Sequence, residues 1–125
     1  MAETKKEQLE KILQGLKKVG GVKGSAVISR DGLMIAHDLL GSTDADTFAA
    51  MSAAMQGAAE TAVSELKQGD LRQIVIESSK GKMVSIGAGK NAIVVILTEQ
   101  DINLGLILLE MGKASGRISD IIERQ

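Results

Sequence analysis

Residues 22–38 read VKGSAVISRDGLMIAHD, and this stretch decides the fold. Apolar runs on both sides of Asp31-Gly32 are typical of two β-strands, at 22–30 and 33–38. We expect a type I′ turn between them, because both central positions of that turn need a positive φ, which Asp and Gly tolerate. The stretch therefore predicts an antiparallel β-hairpin.

Helices are predicted on both sides of this hairpin. Residues 4–18 place apolar side chains at helical spacing, at Leu9, Ile12, Leu13 and Leu16. Gly20 and Gly21 then end this first helix. A second helix follows the loop at 41–44 and runs to about residue 67. Thr43 and Asp46 have the spacing of an acidic capping box at its start.

Three more strands are expected after the second helix, at residues 71–79, 82–89 and 92–98. Their short links are typical of an antiparallel meander. Residues 93–97 read IVVIL and are apolar on both alternating faces, so the last strand should be central and covered on both sides. That placement leaves 71–79 at an edge. Asn103 is suited to cap a third helix, and we expect one domain over residues 1–125.

Composition limits the possible functions. The chain has 125 residues, 44% of them hydrophobic and 25% charged, which is typical of one soluble globular domain. It has no cysteine, which excludes thiolate sites and favours a reducing, cytoplasmic location. Residues 1–30 carry seven Lys or Arg and three acidic residues, which we assign to a helix face, and Phe48 is the only aromatic residue, so nucleic-acid binding is not expected. No apolar stretch has the length that membrane insertion requires.

The motif Gly87-Ala88-Gly89-Lys90 resembles part of a phosphate-binding loop. A Walker loop would have glycine at Val84 and Ser or Thr at Asn91, and it would open a helix rather than a strand. We interpret these glycines as allowing the strand to bend or a helix to pack closely on it. No nucleotide or other cofactor is expected.

The single histidine, His37, is the first candidate for catalysis or metal binding. Its neighbour Asp38 points to the opposite face of a strand, so the two do not form a base and its orienting carboxylate. Asp38, Asp44 and Asp46 lack the spacing of a calcium loop. We therefore expect no enzyme and no metal site. A small-ligand sensor remains an alternative, although it would need a pocket lined by convergent polar groups.

The second helix carries the main functional signal. Residues 47–59 read TFAAMSAAMQGAA, with no charge and mostly small side chains, so the helix should be covered on more than one side. The long edge strand 71–79 would also pair with another chain unless it is protected. Both features predict a homodimer. The expected interface residues are Phe48, Met51, Ser52, Met55, Ala58, Ala59, Ala62, Ile74 and Ile76.

Glycines are also placed within two predicted helices. Gly105, Gly112 and Gly116 fall close to one side of the third helix, and Gly15 lies in the first. Glycine inside a helix costs about 1 kcal/mol relative to alanine. We expect the cost to be offset by close packing of these helices on each other or on the sheet.

Taken together, the chain resembles the roadblock/dynein-light-chain family, including its MglB-type members. The resemblance rests on residues 24–36, the small-residue second helix, the meander, and Asn103-Leu104-Gly105. It implies a profilin-like α/β fold with a five-stranded antiparallel sheet in the order 2-1-5-4-3. Helix two would lie on one face, and helices one and three on the other.

The resemblance also carries functional expectations. Family homodimers join their third strands and set their second helices side by side, and members bind small Ras-like GTPases as regulators or scaffolds. A partner resting on both helices would meet Asp46, Gln56 and Glu60 as a polar rim. The alternative within the same class is an assembly subunit with no effect on a GTPase.

Overall fold

The computed structural model describes residues 2–41 and 44–124. Its elements are α1 (Lys5–Lys17), β1 (Val22–Ser29), β2 (Met34–Asp38), α2 (Ala45–Glu65), β3 (Ile74–Ser78), β4 (Gly81–Ala88), β5 (Ala92–Thr98) and α3 (Leu104–Glu123). This order confirms the prediction. The largest difference is at β3, which begins at Ile74 rather than residue 71 because its ladder with β4 starts at the pair Ile74 and Ser85.

The five strands form one antiparallel sheet in the order β2-β1-β5-β4-β3. β5 is central, with six of its seven residues buried. The prediction that this strand is central and covered on both sides is therefore confirmed. α1 and α3 pack on one face of the sheet and α2 on the other, as the resemblance implied.

The larger core lies between the sheet and the pair α1 and α3. Val27, Val84, Val94 and Ile96 point into it from the three inner strands β1, β4 and β5 and are fully buried. The helices contribute the residues that periodicity predicted, together with the buried face of α3: Leu9, Ile12, Leu13, Leu16, Ile107, Met111, Ala114 and Ile118. This layer forms most of the interior.

α1 begins with a reciprocal capping box. The Glu7 amide donates to the Thr4 hydroxyl at 3.1 Å, and the Thr4 amide donates to the Glu7 carboxylate at 3.1 Å. Hydrogen bonds from Thr4 to the Glu7 carboxylate lower the pKa of that group, because they stabilise its charged form. The first turn is thus held by two otherwise unpaired amides.

The hairpin between β1 and β2 exists, but the predicted type I′ turn is wrong. The Gly32 amide donates to the Ser29 carbonyl at 3.0 Å, and the Ser29 amide donates to the Leu33 carbonyl at 2.9 Å. Gly32 has φ +91°, whereas Asp31 does not have a positive φ. One left-handed residue is enough because the loop has three residues rather than two. A Cβ on Gly32 would lie 3.3 Å from the Ala50 Cα, so α2 packs directly on this turn.

Asp44 caps α2 by accepting a hydrogen bond from the Thr47 amide at 3.2 Å. Hydrogen bonds from Thr47 lower the pKa of the Asp44 carboxyl. The capping role predicted for Thr43 lies outside the described residues. Its proposed acidic partner, Asp46, lies in the first turn of α2.

The prediction for the helical glycines is wrong at three positions. A Cβ at Gly15, Gly112 or Gly116 would meet nothing within 4 Å. On α3 the reason is that the helix turns Ile107, Met111, Ala114 and Ile118 to the core and leaves the glycines facing solvent. At Gly105 the added carbon would touch only the Asn103 side chain, at 3.6 Å.

Close packing occurs instead at Gly89, in the turn between β4 and β5. Its φ is +72°, and a Cβ there would overlap the side chains of Ser119 and Glu123 on α3. The interpretation of the glycines at 87–89 as packing residues is confirmed at this position.

Candidate functional site

One side of α2 packs on the sheet through short side chains. Ala49, Ser52 and Gln56 are buried on this side. They cover a small second core that consists of Ala26, Ile28, Ala49, Ile93 and Val95, with Met34, Phe48, Ala53 and Met83 packed against it. Small side chains allow the helix to lie close to the strands, but they bury little apolar area.

Polar contacts also hold α2 on the sheet. The Ser85 hydroxyl donates to the Gln56 side-chain carbonyl at 2.7 Å, and both side chains are buried. Arg30 donates to both carboxylate oxygens of Glu60 at 2.6 Å and to the Gly89 carbonyl at 2.9 Å. Together these contacts tie α2 to β4, to the end of β1 and to the turn after β4.

Sequence reasoning missed this network. It did not single out Arg30, and it placed Gln56 and Glu60 on an exposed rim. The available signal was spacing, because Ser52, Gln56 and Glu60 follow each other at i, i+4 and i+8 on the side that carries Ala49. A polar residue on a sheet-facing side is expected to find a polar partner on the sheet.

The opposite side of α2 is exposed. Met51 is 67% exposed, and Ala58 and Ala62 are also exposed. Within the single chain α2 is therefore covered on one side only. An uncharged helix face left open over several turns is typical of an interface with another protein.

β3 exposes a further edge of the same sheet. Among the described strands it pairs with β4 alone, so its second edge has no neighbouring strand. The register places Ile74 opposite Ser85 and Ile76 opposite Met83, which puts both isoleucines on the α2 face of the sheet. The predicted helix and strand residues thus lie on the same side of the molecule.

The predicted interface residues differ in exposure. Met51, Ala58, Ala62 and Ile76 are exposed, whereas Phe48, Met55, Ala59 and Ile74 are half-buried. Ser52 is 1% exposed and faces its own sheet, so it does not lie on the open side. Its hydroxyl has no hydrogen-bond partner within residues 2–41 and 44–124.

The predicted polar rim is only partly present. Asp46 is exposed near the start of α2. Glu60 has a side chain that is 37% exposed and pairs with Arg30. Gln56 is 3% exposed and bonded to Ser85, so a partner approaching from outside would not meet it. Its predicted place on the rim is incompatible with this burial.

Residues considered for chemistry lie apart from this surface. His37 is exposed on β2, the opposite edge strand. At the phosphate-loop-like motif, the Lys90 amide donates to the Glu123 carboxylate at 3.3 Å. In the described part of the chain, no group of three His, Cys, Asp or Glu side chains could hold a metal ion. Of the described helices, none is long and apolar enough to cross a membrane.

Comparison with known proteins agrees with this geometry. The model of the Roadblock/LC7 domain matches residues 8–98. The chain is 43% identical over 110 residues to the uncharacterized proteins MJ0310 and MJ1340 of Methanocaldococcus jannaschii, covering 88% of this chain and 96% of each relative.

Solved structures share the fold. The gliding protein MglB of Thermus thermophilus has a TM-score of 0.88 at 20% identity, over 100% of this chain and 96% of that one. Profilin II of Acanthamoeba castellanii has a TM-score of 0.59 at 18% identity, over 89% and 93% of the two chains. At these identities the likeness concerns architecture alone.

Proposed function

Because the chain belongs to the Roadblock/LC7 family, we propose that it is a homodimeric protein-interaction module that regulates or scaffolds a small Ras-like GTPase. Family membership confirms the resemblance drawn from the sequence. The proposal assigns residues 1–125 to a single roadblock domain acting in the cytoplasm by binding rather than by catalysis. Its partners are a second copy of itself and the GTPase.

The observation that carries the proposal is the open side of α2 together with the edge of β3, which pairs with no second strand among those that the structure describes. Met51 on the helix and Ile76 on the strand expose apolar surface on one face of the sheet. An edge strand with unpaired backbone groups tends to pair with another chain. Two-fold pairing of β3 with its copy would satisfy those groups and bring the two α2 helices onto the same face of one continuous sheet.

The GTPase is proposed from what the family resemblance implies. Two neighbouring α2 helices would form one platform, so a partner could contact both subunits. Asp46, which is exposed near the start of α2, is the remaining candidate for orienting that partner. Glu60 could contribute only the part of its carboxylate that Arg30 leaves accessible.

Light scattering tests the first half of the proposal. At micromolar concentration the chain should give twice its monomer mass of 13.1 kDa. A mass that stays at the monomer value up to about 100 μM, a concentration at which weak interfaces would associate, would contradict the homodimer.

Binding to GTPases tests the second half. Each small Ras-like GTPase encoded in the source genome would be purified, loaded with GDP or a GTP analogue, and titrated with the dimer. A regulator should prefer one nucleotide state, because a ligand shifts a switch only through its differential affinity for the two states. Equal affinity would favour the assembly subunit, and absence of binding to every GTPase would contradict the GTPase assignment.

A further inference from the structure

α2 leaves one corner of its sheet face uncovered. A cavity of about 300 Å³ lies there, and Ile76, Met83 and Leu97 line its floor. These three residues are direct cross-strand neighbours on β3, β4 and β5. Lys23 and Lys80 stand at its margin. We call this region the open corner.

The end of α2 has the opposite character. Gln56 is its last buried residue, and Thr61, Ala62, Ser64 and Glu65 are exposed. Leu66, which follows the helix, is 70% exposed. This segment, residues 58–66, therefore presents small and apolar side chains to solvent, whereas Glu60 is held by Arg30.

Charge separates the two regions as well. Residues 58–66 contain two acidic residues, Glu60 and Glu65, and no Lys or Arg, and Lys67 directly follows them. Glu65 lies in the last turn of α2, which contains no basic residue. A carboxylate is unfavourable there because the helix C-terminus carries partial negative charge. Within residues 2–41 and 44–124, neither Glu65 nor Lys80 takes part in an ion pair.

Two-fold symmetry would bring these regions together. Arg30 donates to Glu60 of α2 and to the Gly89 carbonyl, so this part of α2 lies at the end of the sheet that contains Gly89. The open corner lies at the other end, beside Gly81 and Lys80. Antiparallel pairing of β3 with its copy reverses the second subunit, so that its α2 end reaches the half of the sheet that the first α2 leaves open.

We infer that residues 58–66 of a second copy cover the open corner, with Leu66 on the apolar floor and Glu65 paired with Lys80 of the partner subunit. This inference rests on the proposed homodimer and adds a specific ion pair between its subunits. Each subunit supplies one lysine-edged corner and one acidic helix end, so the contact occurs twice around the symmetry axis. The pairing also gives Glu65 the cation that its own helix lacks.

Charge exchange tests the inference. We expect Lys80→Glu and Glu65→Lys each to raise the dimer dissociation constant about tenfold, because both homodimers then contain two like-charged pairs. An equimolar mixture of the two variants should form heterodimers with the wild-type dissociation constant, since both pairs are then opposite in charge. Sedimentation equilibrium measures the constants, and native mass spectrometry counts the heterodimers.

Two controls make the result specific. Lys113→Glu reverses a charge that is 64% exposed on α3 and should leave the dimer unchanged. Glu65→Lys should also favour the isolated helix end, so a weaker dimer in that variant would not reflect loss of folding.

The homodimer and the open-corner contact are contradicted by different outcomes. A wild-type chain that is monomeric contradicts the homodimer itself. A wild-type dimer whose strength is unaffected by Lys80→Glu and Glu65→Lys, or a mixture without preferential heterodimers, overturns the open-corner contact alone.

Discussion

The two faces of the sheet are covered by different kinds of side-chain contact. Between the sheet and the pair α1 and α3, the described residues include seventeen that are buried in one apolar cluster. Beneath α2 the corresponding cluster has five. The α2 face adds a buried amide and an arginine–carboxylate pair, and it leaves the open corner uncovered.

This difference separates stability from assembly. Apolar burial stabilises a fold in proportion to area, so the α1 and α3 face supplies most of the stability that a single chain can have. The α2 face is held by directional polar contacts and keeps apolar surface exposed. The face covered by α1 and α3 makes the domain fold. We propose that the apolar surface on the α2 face is covered only in a complex.

The largest effect should come from emptying the larger core. Ile118 is fully buried on α3, and Ile118→Ala should lower the free energy of unfolding by about 2–5 kcal/mol through lost burial and a residual cavity. Leu109, 56% exposed on the same helix, provides the control: Leu109→Ala should change stability by less than about 0.5 kcal/mol. Urea unfolding at one fixed protein concentration measures both. Equal losses would remove the distinction between the two sides of α3.

Assembly should fail when charge is placed on the open side of α2. Met51→Asp should weaken dimerisation by about 2–4 kcal/mol, because an unpaired carboxylate would be buried in the interface. Leu109→Asp, which places the same charge on an exposed site of α3, should leave the dimer intact. Analytical ultracentrifugation across a dilution series compares them, and a Met51→Asp chain with the wild-type dissociation constant would move the interface elsewhere.

The hydrogen bond between Ser85 and Gln56 should contribute less to the free energy of unfolding than the larger core does. Gln56→Ala leaves the Ser85 hydroxyl buried without its acceptor and should destabilise the chain by about 1–2 kcal/mol. The double variant Gln56→Leu with Ser85→Ala removes both polar groups and should recover most of that loss. Thermal and urea unfolding test the pair. If the double variant is no more stable than Gln56→Ala, the hydrogen bond does not explain the effect.

The smallest effect concerns pH at the start of α1. The pKa of Glu7 is lowered from its ordinary value of 4.5 by its hydrogen bonds with Thr4, so folding favours the charged carboxylate. Its contribution is present above the unfolded pKa and is lost as pH falls through the folded value. Glu7→Gln should therefore show a shallower loss of stability between pH 5 and 3, measured by urea unfolding at constant ionic strength. Identical slopes for both chains would exclude Glu7 as a source.

Most of the architecture could be predicted because it depends on local patterns. The apolar period of α1 and the turn residues at 31–32 mark their elements without reference to the rest of the chain. The centre and edge of the meander follow from which strand is apolar on both faces. The strand order came from the family resemblance, since periodicity does not determine how strands are arranged.

The parts that were wrong depend on contacts distant in sequence. Burial of Gln56 is decided by Ser85, and the position of Glu60 is decided by Arg30, which is thirty residues earlier. Likewise, spacing along α3 predicts a packed face for Gly112 and Gly116, but α3 turns that side to solvent. Composition shows that α2 is uncharged and rich in small residues, but only its packing on the sheet shows which side of the helix is open.

The turn after β4 disfavours the binding of a free anion. Its Lys90 amide, part of a sequence that resembles a phosphate-binding loop, already donates to the Glu123 carboxylate. A tethered group acts as if it were present at an effective concentration in about the millimolar range. A free anion would have to displace this internal carboxylate before reaching the amide. The chain thus carries its own competitor at the one place where its sequence resembles a nucleotide site.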